Sequence, residues 1–118
     1  MRKSDPKQTI SGHWRIIWMA LWDQEYIDLV EPGCIKISSA GDGEFLFGVV
    51  SGGFHVNSDS TYFDSTWEGA QECDEARGTI DGSVDTEGKL SGTIAFWEGD
   101  ESEFHAIRVN SRPLSKLI

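Results

Sequence analysis

From residue 11 onward, apolar side chains recur at every second position in short runs, broken roughly every ten residues by Gly, Asp, Ser or Pro. A period of two belongs to the β-strand, because successive side chains leave a strand on opposite faces. The first run, residues 11–19, puts Trp14, Ile16 and Trp18 on one face and Arg15, Ile17 and Met19 on the other. Apolar groups on both faces predict a strand covered on both sides for part of its length. Residues 34–38 place Ile35 and Ile37 together, and residues 44–50 place Phe45, Phe47 and Val49 together. Residues 54–57 turn Phe54 and Val56 inward, and residues 61–68 do the same with Phe63, Ser65 and Trp67. The alternation is most regular in residues 76–84, where Ala76, Gly78, Ile80, Gly82 and Val84 share a face. Residues 90–96 repeat it with Leu90, Gly92, Ile94 and Phe96, and residues 103–109 end it with Phe104, Ala106 and Arg108.

The breaks read as turns. Pro32-Gly33 suits a type II turn, with φ preset by Pro and a positive φ supplied by Gly. Residues 39–43, 51–53, 57–60 and 85–88 read as hairpin connections, and residues 69–75 and 98–102 as acidic loops. Residues 20–30 break the alternation. Trp18, Trp22 and Tyr26 lie four apart, which predicts a short helix near residues 20–26 serving as a cap or lid.

About eight short strands with local connections predict an all-β, antiparallel, up-and-down (meander) barrel with a short helix or lid after the first strand. Closure removes the two bare edges of an open meander, and the inward glycines Gly78, Gly82 and Gly92 permit the coiling that closure needs. The rival is an open β-sandwich, in which the first and last strands share no ladder. The domain reading is a flexible tail over residues 1–10, one barrel over residues 11–110, and a C-terminal tail over residues 111–118.

The first strand opens on Gly12-x-Trp14, which resembles the Gly-x-Trp signature of the lipocalin and avidin-like (calycin) barrels. The resemblance implies a barrel with an interior pocket. It also implies that Trp14 packs across the barrel floor against an Arg of the last strand. Arg108 is the candidate partner and Arg112 the fallback. The chain is shorter than a typical lipocalin, with no second lipocalin motif and no biotin-site residue set.

Composition narrows the classes. The chain has 118 residues and thirteen aromatic side chains (five Trp, six Phe, two Tyr), too many for an unfolded chain. The N-terminal residues carry no apolar stretch behind their charges, and no apolar run has the roughly 20 residues of a membrane helix, so a cytoplasmic location is expected. Net charge is −10, but five of the ten basic residues lie in the tails. Residues 11–110 hold five basic and nineteen acidic residues, a net of −14. Such a body repels nucleic acid and anionic membranes and is compatible with a basic protein partner, or with solubility alone. Cys34 and Cys73 have no metal-like spacing and are expected to be reduced thiols, one at least buried, with a disulfide between them as the alternative.

Candidate chemistry is sparse. His13 and His105 could approach each other if the first and last strands pair, but two imidazoles make a poor zinc site. The acidic clusters near Glu68–Glu75 and Glu98–Glu103 both follow a Trp-Glu-Gly triplet, at residues 67–69 and 97–99. Neither has an established calcium spacing, and an acidic rim is the plainer reading. Asp64 and Asp81 are mid-strand carboxylates without an evident acid–base arrangement. No catalytic residue, metal ligand or cofactor is assigned. What remains is the aromatic stock. Trp18, Trp22, Tyr26, Phe45, Phe47, Phe63 and Phe96 are the candidate lining of a lumen and lid that hold one small apolar or aromatic ligand. The alternatives are a filled core, and with it an acidic protein-interaction module.

Overall fold

The structure, a computed structural model, describes residues 8–109. Its strands are β1 (Gly12–Met19), β2 (Cys34–Ile37), β3 (Asp42–Phe47), β4 (Val50–His55), β5 (Tyr62–Gln71), β6 (Asp74–Val84), β7 (Leu90–Phe96) and β8 (Glu101–Arg108). One short helix, α1 (Gln24–Ile27), follows β1. Each strand pairs antiparallel with its successor, and β8 returns to β1, so the sheet is a closed up-and-down barrel. The sandwich is excluded by the β1–β8 ladder, which runs from Trp14 opposite Arg108 to Met19 opposite Phe104.

Closure is reinforced where the resemblance to lipocalins pointed. The Arg108 guanidinium lies over the Trp14 ring, its carbon 4.2 Å from the ring centroid. It donates to the Ser11 carbonyl at 2.7 Å and the Thr9 carbonyl at 2.9 Å. Gly12 has φ +130°, and a Cβ there would fall 2.6 Å from Arg108 Nη1. The conformation calls for glycine at this position, and its bare face leaves room for the guanidinium. The Trp14 indole N–H donates to the Ile10 carbonyl at 2.9 Å, and both residues are fully buried. Ile10, read as tail, belongs to the core, and its N–H donates to Ser60. Residues 1–7 and the C-terminal tail, Arg112 included, lie outside the described residues.

Three details depart from the alternation. First, β1 carries a bulge between Ile16 and Trp18. The extra residue reverses the phase, so Met19 is buried and Trp18 turns out, 43% exposed and packed on His105 at 4.8 Å between ring centroids. Trp18 is therefore not a lumen residue. Second, the β3–β4 turn is Gly48-Val49, with Gly48 at φ +57°, and not residues 51–53. Third, residues 69–75 are not a loop. β5 and β6 run on as a paired ribbon to Gln71 and Asp74, turning at Glu72-Cys73.

The interior is filled with rings. Phe45 packs on Phe47 and Phe54 and meets Trp67 edge-on at 5.0 Å, and Phe54 stacks on Phe63 at 5.5 Å. These rings lie over glycines: Phe54 over Gly43, Phe45 and Trp67 over Gly52, Phe63 over Gly82. The inward glycines do not leave a hollow; they admit aromatic rings from neighbouring strands. Gly78 yields its side-chain space to the Ala95 carbonyl oxygen. That oxygen and the Thr79 carbonyl accept the Trp67 indole N–H, at 3.2 and 3.1 Å. A buried indole thereby satisfies its donor inside a hydrophobic core.

Candidate functional site

The lid is built from a few polar contacts around one buried residue. Asp23 caps α1 by accepting the Tyr26 N–H at 3.0 Å. Ile27, fully buried, is the apolar anchor, and Gly33 is pressed close against it. Asp28 ties the segment down. It accepts both Arg15 nitrogens, at 2.6 and 2.8 Å, the Gly33 N–H at 2.8 Å and the Gln24 amide at 3.2 Å. The bidentate guanidinium, then the Gly33 and Gln24 donors, hold the Asp28 carboxyl well below the usual carboxylate range, against the opposing effect of burial. On the far side, the buried Ser102 hydroxyl accepts the Leu21 N–H at 3.1 Å, and the Ala20 N–H donates to Glu103. The Tyr26 ring covers Gly48, whose N–H donates to the Ile27 carbonyl.

These contacts set Trp22 over one end of the barrel. Its ring lies 5.0 Å from Phe47, 6.1 Å from Tyr26 and 6.4 Å from Phe96, and Phe96 in turn meets the buried Trp67 edge-on at 5.3 Å. Beside this cluster the β5–β6 ribbon rises past the end of β7, and a cleft of about 980 Å³ opens between them. Trp22, Phe96 and Ala76 give it an apolar side. Glu68, Glu75 and Asp100 give it negative charge. Trp97 stands at its edge, 64% exposed, with the Arg77 guanidinium 5.4 Å from its ring centroid. The Trp97 N–H donates to the Arg77 carbonyl and closes the cleft on that side.

Of the residues assigned to a lumen and lid, the structure gathers Trp22, Tyr26, Phe47 and Phe96 at this end. Phe45 sits deeper, in the packed centre, and Phe63 lies towards the opposite end with Phe54. Trp18 faces outward. Alternation put Ala76 on the inward face but did not single out Trp97, Ala76 or Arg77 as site residues. A signal for the place existed in the repeated Trp-Glu-Gly triplet, since Glu68, Gly69, Trp97 and Gly99 all line the cleft.

The remaining candidates fall apart. His13 lies opposite Lys36 and His105 opposite Trp18, so the two imidazoles are not brought together. Burial, with Lys36 adding to it, pushes the His13 pKa down. Among the described residues no group of three or more His, Cys, Asp or Glu side chains is placed to hold a metal ion. Both cysteines are free. Cys34 is half-buried, and burial pushes its thiol up; Cys73 is exposed at the ribbon tip, so neither is the buried thiol expected. No helix among the described residues is long and apolar enough to cross a membrane.

Fold and site together define an eight-stranded up-and-down β-barrel with a packed interior and an open cleft beside its lid. The architecture is compatible with a calycin-like fold. Comparison with family models, curated proteins and solved structures finds no match to this chain.

Proposed function

We propose that the barrel is a non-catalytic binding module, lipocalin-like in its closure, whose ligand is a small molecule with a flat apolar or aromatic part. The ligand seats in the cleft beside the lid, its ring against Trp22 and Phe96. The observation that carries this reading is the cleft itself, at about 980 Å³ with two aromatic rings on one wall. Sites for small molecules span roughly 300–1,000 Å³ and pair an apolar lining with a few polar groups. Here Glu68, Gln71, Glu75, Arg77 and Asp100 are the polar groups. The filled interior moves the ligand from the lumen to its mouth. Two unpaired thiols, Cys34 and Cys73, fit a reducing compartment such as the cytosol.

The test is a titration with N-phenyl-1-naphthylamine, a neutral apolar fluorophore that brightens on leaving water. Saturable binding is expected, together with quenching of tryptophan emission. Ala76→Arg, which fills the cleft from a half-buried strand position, is expected to weaken binding about tenfold or more, the loss of roughly 1.4 kcal/mol, without unfolding the barrel. Absence of saturable binding, or saturable binding that Ala76→Arg leaves unchanged, refutes the cleft as the site.

A second reading, an acidic interaction module around a filled core, is favoured by the packed rings and by carboxylates that form no ion pair among the described residues. It concerns a different face.

A further inference from the structure

Inside the barrel, Gly82 and Gly92 face each other at close approach. Outside, strands β5 to β8 carry a trough of about 520 Å³ over the same place. The register lays two rows of outward side chains across it. One row is Tyr62, Ser83, Ser91 and His105, continued on β1 by Trp18. The other is Asp64, Asp81, Thr93 and Glu103. At about 4.8 Å between strands, the first row spans roughly 14 Å from Tyr62 to His105.

Two observations mark this face as unfinished. Asp64 and Asp81 sit directly opposite each other, yet like charges at such positions destabilise a sheet. Among the described residues, no Lys or Arg forms an ion pair with Asp64, Asp81, Glu101 or Glu103. Burial pushes the Asp81 carboxyl up, against the hydrogen bond from the Thr93 N–H, and the charges of Asp64 and Glu101 push it further. The second observation is apolar. Beside the trough, Trp18, Ile17 and Ile107 are 43%, 43% and 39% exposed on adjoining strands, with Tyr62 65% exposed at the opposite side. Uncovered carboxylates next to an uncovered aromatic and two isoleucines match the chemistry of a protein interface, with a greasy centre and charges that choose the partner.

We propose that the outer face of β5 to β8, with Trp18 and Ile107 at its margin, docks a basic segment of a partner protein. Lysine or arginine side chains of that segment meet Asp64, Asp81 and Glu103, and an apolar side chain covers Trp18 and Ile107. Charge complementarity selects this occupant. A second copy of the chain would bring another body of net −14 to the same face. A neutral saccharide could use the aromatic walls and hydroxyls but would leave the carboxylate repulsion untouched.

The experiment follows the polarisation of a fluorescein-labelled lysine-rich peptide with one central leucine, using the full chain at low and at high salt. Binding that weakens steeply with salt is expected. The double variant Asp64→Asn, Asp81→Asn and the single variant Trp18→Ser are each expected to lose about tenfold in affinity, roughly 1.4 kcal/mol. Glu68→Gln with Glu75→Gln, at the cleft, is expected to change it little. The asparagine pair removes a repulsion and keeps the strands, so the fold survives, as circular dichroism would verify. Equal losses from the cleft and face variants would reduce the effect to general attraction and overturn the proposal. So would salt-insensitive binding of a neutral oligosaccharide, or peptide binding seen only after Arg2, Lys3, Lys7, Arg112 and Lys116 are changed to Gln, which would assign the face to the chain's own ends. N-phenyl-1-naphthylamine binding is expected to be unchanged in the face variants, so failure here is distinguishable from failure of the cleft reading.

Discussion

Arg108 shows how much one side chain can organise. Its guanidinium covers Trp14, lies against the bare face of Gly12, and binds the carbonyls of Thr9 and Ser11 that lead the chain into β1. A cation over an indole contributes about 0.5–2 kcal/mol, and hydrogen bonds from a charged donor add to it. Arg108→Ala is therefore expected to cost about 2 kcal/mol, a fall of roughly 10 °C in Tm for a domain of this size, measured by thermal denaturation. Arg108→Lys is expected to recover little, because an ammonium cannot stack and reach two carbonyls at once. Asp28 plays the corresponding part at the lid. Its carboxylate is stabilised in the folded state, so its contribution is fully present above the ordinary carboxylate pKa, near 3.8. That contribution is lost as pH falls from there through the lowered native value. Asp28→Asn is expected to cost about 1–3 kcal/mol at neutral pH. The gap between wild type and variant in denaturant midpoint is expected to shrink below about pH 4. A gap that is constant down to strong acid would mean that the charge of Asp28 is irrelevant.

At the level of elements, the barrel's behaviour is set by where strands outrun their partners. The β5–β6 ribbon continues past the end of β7, and that mismatch makes the cleft. The Glu72 N–H donates to the Val49 carbonyl and pins the ribbon tip to the β3–β4 turn. The lid is held from three sides, by Asp28 to β1 and Gly33, by Ser102 of β8, and by Tyr26 over Gly48. These anchors explain why a helix of only four residues persists at all, since so short a helix has little stability alone. Reading the elements from residues alone succeeded where apolar and polar positions alternate cleanly, as in residues 76–84. It failed where both choices are apolar. Ile16-Ile17-Trp18-Met19 can lose or gain a residue without disturbing the pattern, so the bulge is invisible there. It failed again in residues 69–75, because a ribbon bathed by water at its tip needs no apolar face and so resembles a loop.

For the whole molecule, charge is the dominant global property. Residues 11–110 carry a net of −14, with Arg15, Lys36, Arg77, Lys89 and Arg108 as the only cations. Of these, Arg15 is engaged by Asp28 and Lys89 by Glu87. Self-repulsion of such a body opposes compaction, and salt screens it within about 10 Å at 0.1 M. Sodium chloride added at neutral pH is therefore expected to raise Tm by several degrees, measured by calorimetry. A fall would mean that the few ion pairs outweigh the repulsion.

Strand number, antiparallel order and closure could be read from the chain's alternation and turns, while the Trp14–Arg108 contact followed only from the resemblance of Gly12-x-Trp14 to the lipocalin signature. Alternation and turn residues are local properties, and closure relieves the bare edges of a meander, although only the β1–β8 ladder decides it against an open sandwich. The position of the cleft, the outward turn of Trp18 and the packing of rings over glycines could not. They depend on which residue stands opposite which across a coiled sheet, and that register is settled only when every strand is paired at once.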